Sequence, residues 1–124
     1  MLIYCCKCEE KVEARLTSGM EIYPHRHDLV MLPFWKCDKC MNFVGCHHKT
    51  DNSTRPLGCI PTPEIKKARQ EIHKILDPIW QSGKMSRKDV YAKLTENFNR
   101  RYHTANIRSI EEARDIYRFI KTIN

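Results

Sequence analysis

The sequence predicts an α+β protein in which an N-terminal zinc ribbon of short antiparallel strands precedes a three-helix C-terminal region. Two Cys-x-x-Cys pairs, at residues 5–8 and 37–40, lie in a first half that contains short apolar segments. A Pro-Thr-Pro motif at residues 61–63 marks a break. Beyond it, apolar residues recur every three or four positions, which is the period of an α-helix. We therefore expect a zinc-ribbon domain over residues 1–60 and a helical domain over residues 61–124.

The two cysteine pairs are typical of a structural metal site. Each pair, Cys5 with Cys8 and Cys37 with Cys40, places two sulfurs on one tight turn, called a knuckle below. Two knuckles supply the four thiolates of a tetrahedral Zn²⁺, which adds folding free energy that a small unit lacks. The alternative is disulfides, which require an oxidising compartment. Because the sequence shows no signal peptide and no membrane-spanning apolar segment, we expect one structural zinc in a cytoplasmic protein.

The remaining cysteines and histidines give weaker indications of chemistry. Cys6 lies inside the first knuckle and is expected to be a spare, unless it replaces Cys5 as a ligand. No Ser-His-Asp order, P-loop or glycine-rich phosphate loop is present, so we expect no enzyme activity. A second metal site, or the metal site of a nuclease, would have to be assembled from residues without knuckle spacing: Cys46, His47, His48 and Cys59, or these histidines with His25 and His27.

Short β-strands are expected around the knuckles, at residues 2–4, 13–16, 20–23, 31–35 and 42–44. Residues 51–63, rich in Pro, Gly, Ser and Thr, predict a loop. The first helix should begin at Pro63, since proline is favoured at the first helical position. Pro78 lacks a backbone N–H, so we expect a kink or a stop near Asp77, with Gly83 ending the element.

Two capping motifs predict the second and third helices. Ser86 is followed three residues later by Asp89, and Ser109 is followed by Glu112. Both resemble the capping box, in which the serine side chain accepts a hydrogen bond from a backbone N–H of the first turn. Apolar stripes follow each motif, so three helices are expected to close on one another.

Basic residues are concentrated in the second half of the chain. The formal charge is +7, and one Zn²⁺ on four thiolates would leave about +5. Such a surface attracts phosphate backbones or an acidic protein, although a solvated helix face without a partner is the alternative. Tyr102 and His103 add the aromatic character that suits nucleic acid. The expected interface consists of seven basic residues: Lys84, Arg87, Lys88, Lys93, Arg100, Arg101 and Arg108.

Motifs along nearly the whole chain occur together in one family. They include Tyr4-Cys5-x-x-Cys8, Trp35-x-Cys37-x-x-Cys40, residues 43–47, residues 55–58, residues 77–80 and residues 85–87. On these residues the chain resembles a family of small zinc-finger proteins common in bacteriophages. The resemblance implies a zinc ion, a ribbon and a phage origin. The family's first knuckle usually carries proline and glycine where this chain has Cys6 and Glu9.

Length and basic charge are also similar to those of phage-encoded anti-CRISPR proteins that act on type I-F systems. Such inhibitors bind the RNA-guided surveillance complex and prevent target DNA from pairing with the guide RNA. The resemblance implies a non-enzymatic inhibitor whose partner is this ribonucleoprotein in the bacterial host cytoplasm, with no membrane or small-molecule partner. The alternatives are a sequence-tolerant DNA- or RNA-binding protein, which would bind double-stranded DNA non-specifically, and a metal-dependent nuclease.

Overall fold

The chain has an α+β architecture in which the strands precede the longer helices. The structure is a computed structural model that describes residues 1–123. It divides the chain into two compact units, one spanning Met1–Pro63 and the other beginning at Glu64. Within the described residues, no helix is both long enough and apolar enough to cross a membrane.

The N-terminal unit contains two small antiparallel sheets. Strand β1 (Leu2–Cys5) pairs with β2 (Glu10–Glu13), and the first knuckle joins them. The second sheet has the order β3-β4-β5, formed by β3 (Arg15–Ser18), β4 (Pro33–Lys36) and β5 (Phe43–Gly45). The second knuckle lies between β4 and β5. Both knuckles are therefore turns between paired strands, as the cysteine spacing predicts.

The strand predicted at residues 20–23 is wrong, because most of these residues belong to a short helix, α1 (Gly19–Ile22). A Cβ atom at Gly19 would lie 1.8 Å from the Leu29 carbonyl oxygen, so only glycine allows the following loop to approach this closely. The Tyr23 N–H donates to the Gly19 carbonyl at 2.7 Å and closes the turn. The close approach of Leu29 to Gly19 overrides the local alternation that predicts a strand here. The strand predicted over residues 13–16 is likewise divided, since Ala14 separates β2 from β3.

The loop after β5 returns to the edge of β1. The Ile60 N–H donates to the Tyr4 carbonyl at 2.8 Å, and the Cys6 N–H donates to the Ile60 carbonyl at 2.9 Å. Cys5 and Ile60 form a parallel bridge and are both fully buried. The first knuckle therefore has a chain segment on each side, β2 on one and residues 59–60 on the other.

The C-terminal unit contains three helices: α2 (Pro63–Gln81), α3 (Arg87–Phe98) and α4 (Ile110–Ile123). With α1, the described residues contain four α-helices rather than three. Both predicted caps are confirmed, since the Asp89 and Glu112 N–H groups each donate to the preceding serine hydroxyl at 3.1 Å. The three helices bury a common apolar core: Ile72, Leu76, Ile79, Val90, Leu94, Ile107, Ile116 and Ile120.

Of the two alternatives predicted near Asp77, the stop is wrong, because α2 continues through Pro78 to Gln81, and the kink stays a prediction. Pro78 lies in the last turn, so it removes one helical hydrogen bond close to the helix end, where few bonds follow. Ile79 is 2% exposed, and burying it favours continuation of the helix. Gly83 ends the element in the left-handed region with φ of 78°, as the sequence predicts.

Candidate metal centre

The backbone of the two knuckles has the same conformation. The Glu9 N–H donates to the Cys5 carbonyl at 2.8 Å, and the Met41 N–H donates to the Cys37 carbonyl at 2.7 Å. Glu9 and Met41 each follow the second cysteine of their knuckle, and each has a positive φ, 57° and 69° respectively. This tight turn brings the two sulfurs of a pair to the same side. Glycine adopts the left-handed region most easily, and this chain places larger residues there.

The four knuckle sulfurs converge on one point. The Sγ atoms of Cys5 and Cys40 are 3.4 Å apart, and those of Cys8 and Cys37 are 3.8 Å apart. All four Sγ atoms lie within 4.8 Å of one another. In a tetrahedron with Zn–S bonds of about 2.3 Å, the sulfurs are about 3.8 Å apart, so the donor set fits Zn²⁺. When bound, the ion supplies folding free energy by joining the two sheets through their knuckles.

The thiols differ in how readily they ionise. Burial and hydrogen bonds to Cys5 and Cys37 raise the pKa of Cys8 to about 12, and burial also raises the pKa of Cys40. Burial acts in the same direction on Cys37, but the N–H groups of Cys40 and Lys39 donate to its sulfur and lower its pKa on balance. Metal binding must therefore displace protons from Cys8 and Cys40. It follows that metal affinity decreases as the pH falls.

Charged residues fix the second knuckle to its surroundings. The Arg15 guanidinium donates two hydrogen bonds to the Asp38 carboxylate, at 2.8 and 3.0 Å, and two to the Glu21 carboxylate, at 3.0 and 2.9 Å. Asp38 follows Cys37, Arg15 lies on β3 and Glu21 lies on α1. Hydrogen bonds from Arg15 hold the pKa of both carboxyl groups below their usual range. This network was not predicted from the sequence, although an aspartate inside the knuckle is a signal that such a partner exists.

The other cysteines do not join the metal cluster. All seven cysteines lie in the described part of the chain, and none of them forms a disulfide. The Cys6 and Cys59 Sγ atoms are 3.8 Å apart and both residues are buried, while Cys46 is buried elsewhere. Among residues 1–123, no group of three or more potential ligands includes Cys46, Cys59 or a histidine. Cys5, and not Cys6, therefore belongs to the cluster, as the Cys-x-x-Cys spacing predicts.

Three of the predicted interface residues meet beside α3. Arg87, Lys88 and Arg101 line a groove of about 520 Å³ whose other walls include Tyr91, Tyr102 and His103. We call it the basic groove. No acidic residue of the described chain lines it. Tyr102 is 7% exposed and its hydroxyl group contacts Thr104, so Tyr102 supports the groove from beneath.

The other four predicted interface residues lie outside the basic groove. Lys93 lines a separate hollow with Glu96 and Phe119. Arg100 forms an ion pair with Glu112 on α4. Lys84 precedes α3 and Arg108 precedes α4. The structure therefore divides a run of basic residues that the sequence presents as one patch.

The metal centre and the family comparison agree on the class of protein. Two knuckles that present four cysteine sulfurs to a common point define a zinc-finger protein with one structural Zn²⁺. The model of a family described as a zinc-finger-containing domain matches residues 1–123, and the chain belongs to that family. Comparison with curated proteins and with solved structures finds no match.

Proposed function

We propose that this chain is a non-enzymatic, zinc-stabilised protein that binds the phosphate backbone of a nucleic acid through the basic groove. The observation that carries the proposal is the convergence of Arg87, Lys88 and Arg101 on one groove without an acidic neighbour. Arg87 is held over two aromatic rings, 4.9 Å from the Tyr91 centroid and 5.9 Å from that of Trp80. A guanidinium held in this way loses little freedom on binding phosphate.

Lys88 and Arg101 are the groove residues most available to a ligand. Both are exposed, and within residues 1–123 neither lies within ion-pair distance of a carboxylate. Arg100 differs from them, since Glu112 already neutralises it. Binding at the groove would therefore release counterions from the nucleic acid without first breaking an ion pair.

The cysteine cluster supports a structural rather than catalytic metal. Structural zinc sites have four protein ligands, whereas catalytic sites keep one position for water or substrate. Here four sulfurs lie within 4.8 Å of one another, which is enough to supply all four ligands of a tetrahedral Zn²⁺. The histidines considered for a nuclease, His25, His27, His47 and His48, do not assemble with other ligands among the described residues.

The partner favoured by the resemblance is a type I-F RNA-guided surveillance complex in a bacterial host, which a protein of phage origin would inhibit. The basic groove is compatible with such a partner because the complex carries exposed guide RNA and recruits DNA. In this form of the proposal, the protein occupies the path of the target DNA and prevents its pairing with the guide. In the broader form of the proposal, the ligand is free DNA or RNA of any sequence. In both forms the groove binds a phosphate backbone.

Two lysines on the same helix provide a matched test. Lys88 lines the basic groove and Lys93 lines the other hollow, and both are exposed. We expect Lys88→Glu to weaken binding of a labelled 20-nucleotide strand about ten-fold at low salt, while Lys93→Glu has a much smaller effect. Fluorescence anisotropy measured over a range of salt concentrations is the assay. Equal losses of affinity in the two variants would show that α3 contributes only a diffuse charge. That result would contradict binding at the basic groove.

The ribonucleoprotein form needs its own experiment. The protein is added to a reconstituted type I-F complex either before or after the target DNA, and strand pairing is measured by footprinting. We expect inhibition near stoichiometric amounts only when the protein is added first, with all nucleic acids intact. No inhibition at large excess, together with binding to free strands, would contradict the ribonucleoprotein form and support only the broader form. Cleaved nucleic acid at substoichiometric protein would contradict the non-enzymatic assignment.

A further inference from the structure

We infer that the basic groove takes one unstacked nucleotide and that the preferred ligand is therefore single-stranded nucleic acid. This inference rests on the proposed function and adds the substrate class. The groove volume of about 520 Å³ lies within the range of roughly 300–1,000 Å³ found for small-ligand sites. A groove for a bare phosphate group would not need this volume. The lining contains both cations and aromatic rings, which match the two chemical halves of a nucleotide.

Arg87 and Tyr91 form the platform for a base. The Arg87 guanidinium carbon is 4.9 Å from the Tyr91 ring centroid, which is a cation–π distance. Tyr91 meets Tyr102 edge to face, with centroids 5.4 Å apart and an angle of 87° between the rings. Tyr102 is buried and fixed by Thr104, so it holds the Tyr91 ring in place. Bases stack on guanidinium planes and on aromatic rings of this kind.

The chain around Arg101 brings a further cation to the groove lining. Helix α3 ends at Phe98, and the φ of 54° at the following Asn99 turns the chain back. The Arg100 N–H then donates to the Thr95 carbonyl at 3.2 Å, and the Tyr102 N–H donates to the Thr95 hydroxyl at 3.0 Å. These two bonds hold Arg101 beside the last turns of α3. The groove lining thus contains the Arg101 cation, on a stretch of backbone that is held in place, in addition to Arg87.

Base accessibility decides between single strands and duplexes. In a duplex the bases are paired and stacked inside the helix, so only phosphates and groove edges reach a protein surface. In a single strand an unstacked base can turn onto an aromatic or guanidinium surface. A duplex would therefore offer only its phosphates to Arg87, Lys88 and Arg101, whereas a single strand would in addition stack a base on the Arg87–Tyr91 platform. The structure assigns the additional affinity to the base.

Three probes of equal length test the inference. They are a 15-nucleotide thymidine strand, an abasic strand with the same phosphates, and a 15-base-pair duplex. We expect the full-length, zinc-loaded protein to bind the thymidine strand at least about five-fold more tightly than the abasic strand, since one stacked base has this effect. Arg87→Lys keeps the charge and removes the plane, so the ratio of the affinities for the thymidine and abasic strands should fall to about one, because any change in phosphate binding affects both strands alike.

Tyr91→Leu is the second variant and should lose the same preference. Because Tyr91 contacts the helical core, the thermal unfolding of the Tyr91→Leu variant is measured in parallel. If that variant does not fold, the change at the exposed Arg87 still tests the inference. Equal affinity for all three probes would overturn the inference and leave the proposed function intact. A preference that survives in Arg87→Lys would also overturn it. Failure to bind any of the three would contradict the proposed function itself.

Discussion

Replacing Glu9 by glycine should stabilise the zinc-loaded N-terminal unit. Glu9 has a φ of 57°, and its exposed side chain makes no hydrogen bond or ion pair with any of residues 1–123. The left-handed conformation costs a residue with a Cβ atom about 1–2 kcal/mol. Glycine avoids this cost but gives the unfolded chain more freedom, a loss of about 0.5–1 kcal/mol. The net expected gain is about 0.5–1 kcal/mol.

The gain should be visible in zinc affinity, because the knuckle must adopt this turn to bind the metal. A gain of this size lowers the zinc dissociation constant about two- to five-fold. Competition with a chromophoric chelator at constant pH measures it directly. Since Glu9→Gly also removes a negative charge near the thiolates, Glu9→Gln is the matched control for charge. The difference between the two variants isolates the contribution of the backbone.

A second control separates this effect from a general tolerance of glycine. Lys7 lies in the same knuckle, is exposed and does not have a positive φ. Lys7→Gly should therefore weaken zinc binding, while Met41→Gly, at the equivalent place in the second knuckle, should strengthen it. If Glu9→Gly binds zinc no more tightly than Glu9→Gln, the left-handed conformation does not limit the stability of the knuckle and the reasoning is refuted.

Three further predictions concern the same unit. Cys8→Ser should abolish stoichiometric zinc while Cys6→Ser retains it, as elemental analysis will show; equal losses would place Cys6 among the ligands. Gly19→Ala should unfold the unit in circular dichroism, because its Cβ would collide with the Leu29 carbonyl; a native spectrum would contradict that contact. Lowering the pH should release zinc, since the raised pKa of Cys8 favours its protonated form; release that is independent of pH would exclude proton competition.

The sequence was most informative where a local pattern alone determines the structure. The knuckle spacing predicts Cys5, Cys8, Cys37 and Cys40 as one cluster, because each pair is confined to a single turn. The serine caps are equally local, since the hydroxyl and the N–H that it accepts from are three residues apart. In both cases the contacts that decide the outcome lie within a few residues of each other.

The predictions failed where a distant residue decides. Helix α1 depends on the approach of Leu29 to Gly19, ten residues away, and the alternation at residues 20–23 contains no trace of it. The interface predicted over residues 84–108 stays a prediction, but the sequence alone does not show that Arg100 pairs with Glu112 on α4 or that Lys88 and Lys93 line different hollows.

The pairing of residues 59–60 with β1 imposes an order on folding during synthesis. Strand β1 leaves the ribosome more than fifty residues before its neighbour Ile60. The four ligands are all available once Cys40 has emerged, so metal can be captured before the edge of β1 is covered. A bound zinc ion then holds the nascent, half-covered knuckle until residues 59–60 have emerged. A truncated chain ending before Cys59 would keep every ligand and still leave that edge open to other polypeptides.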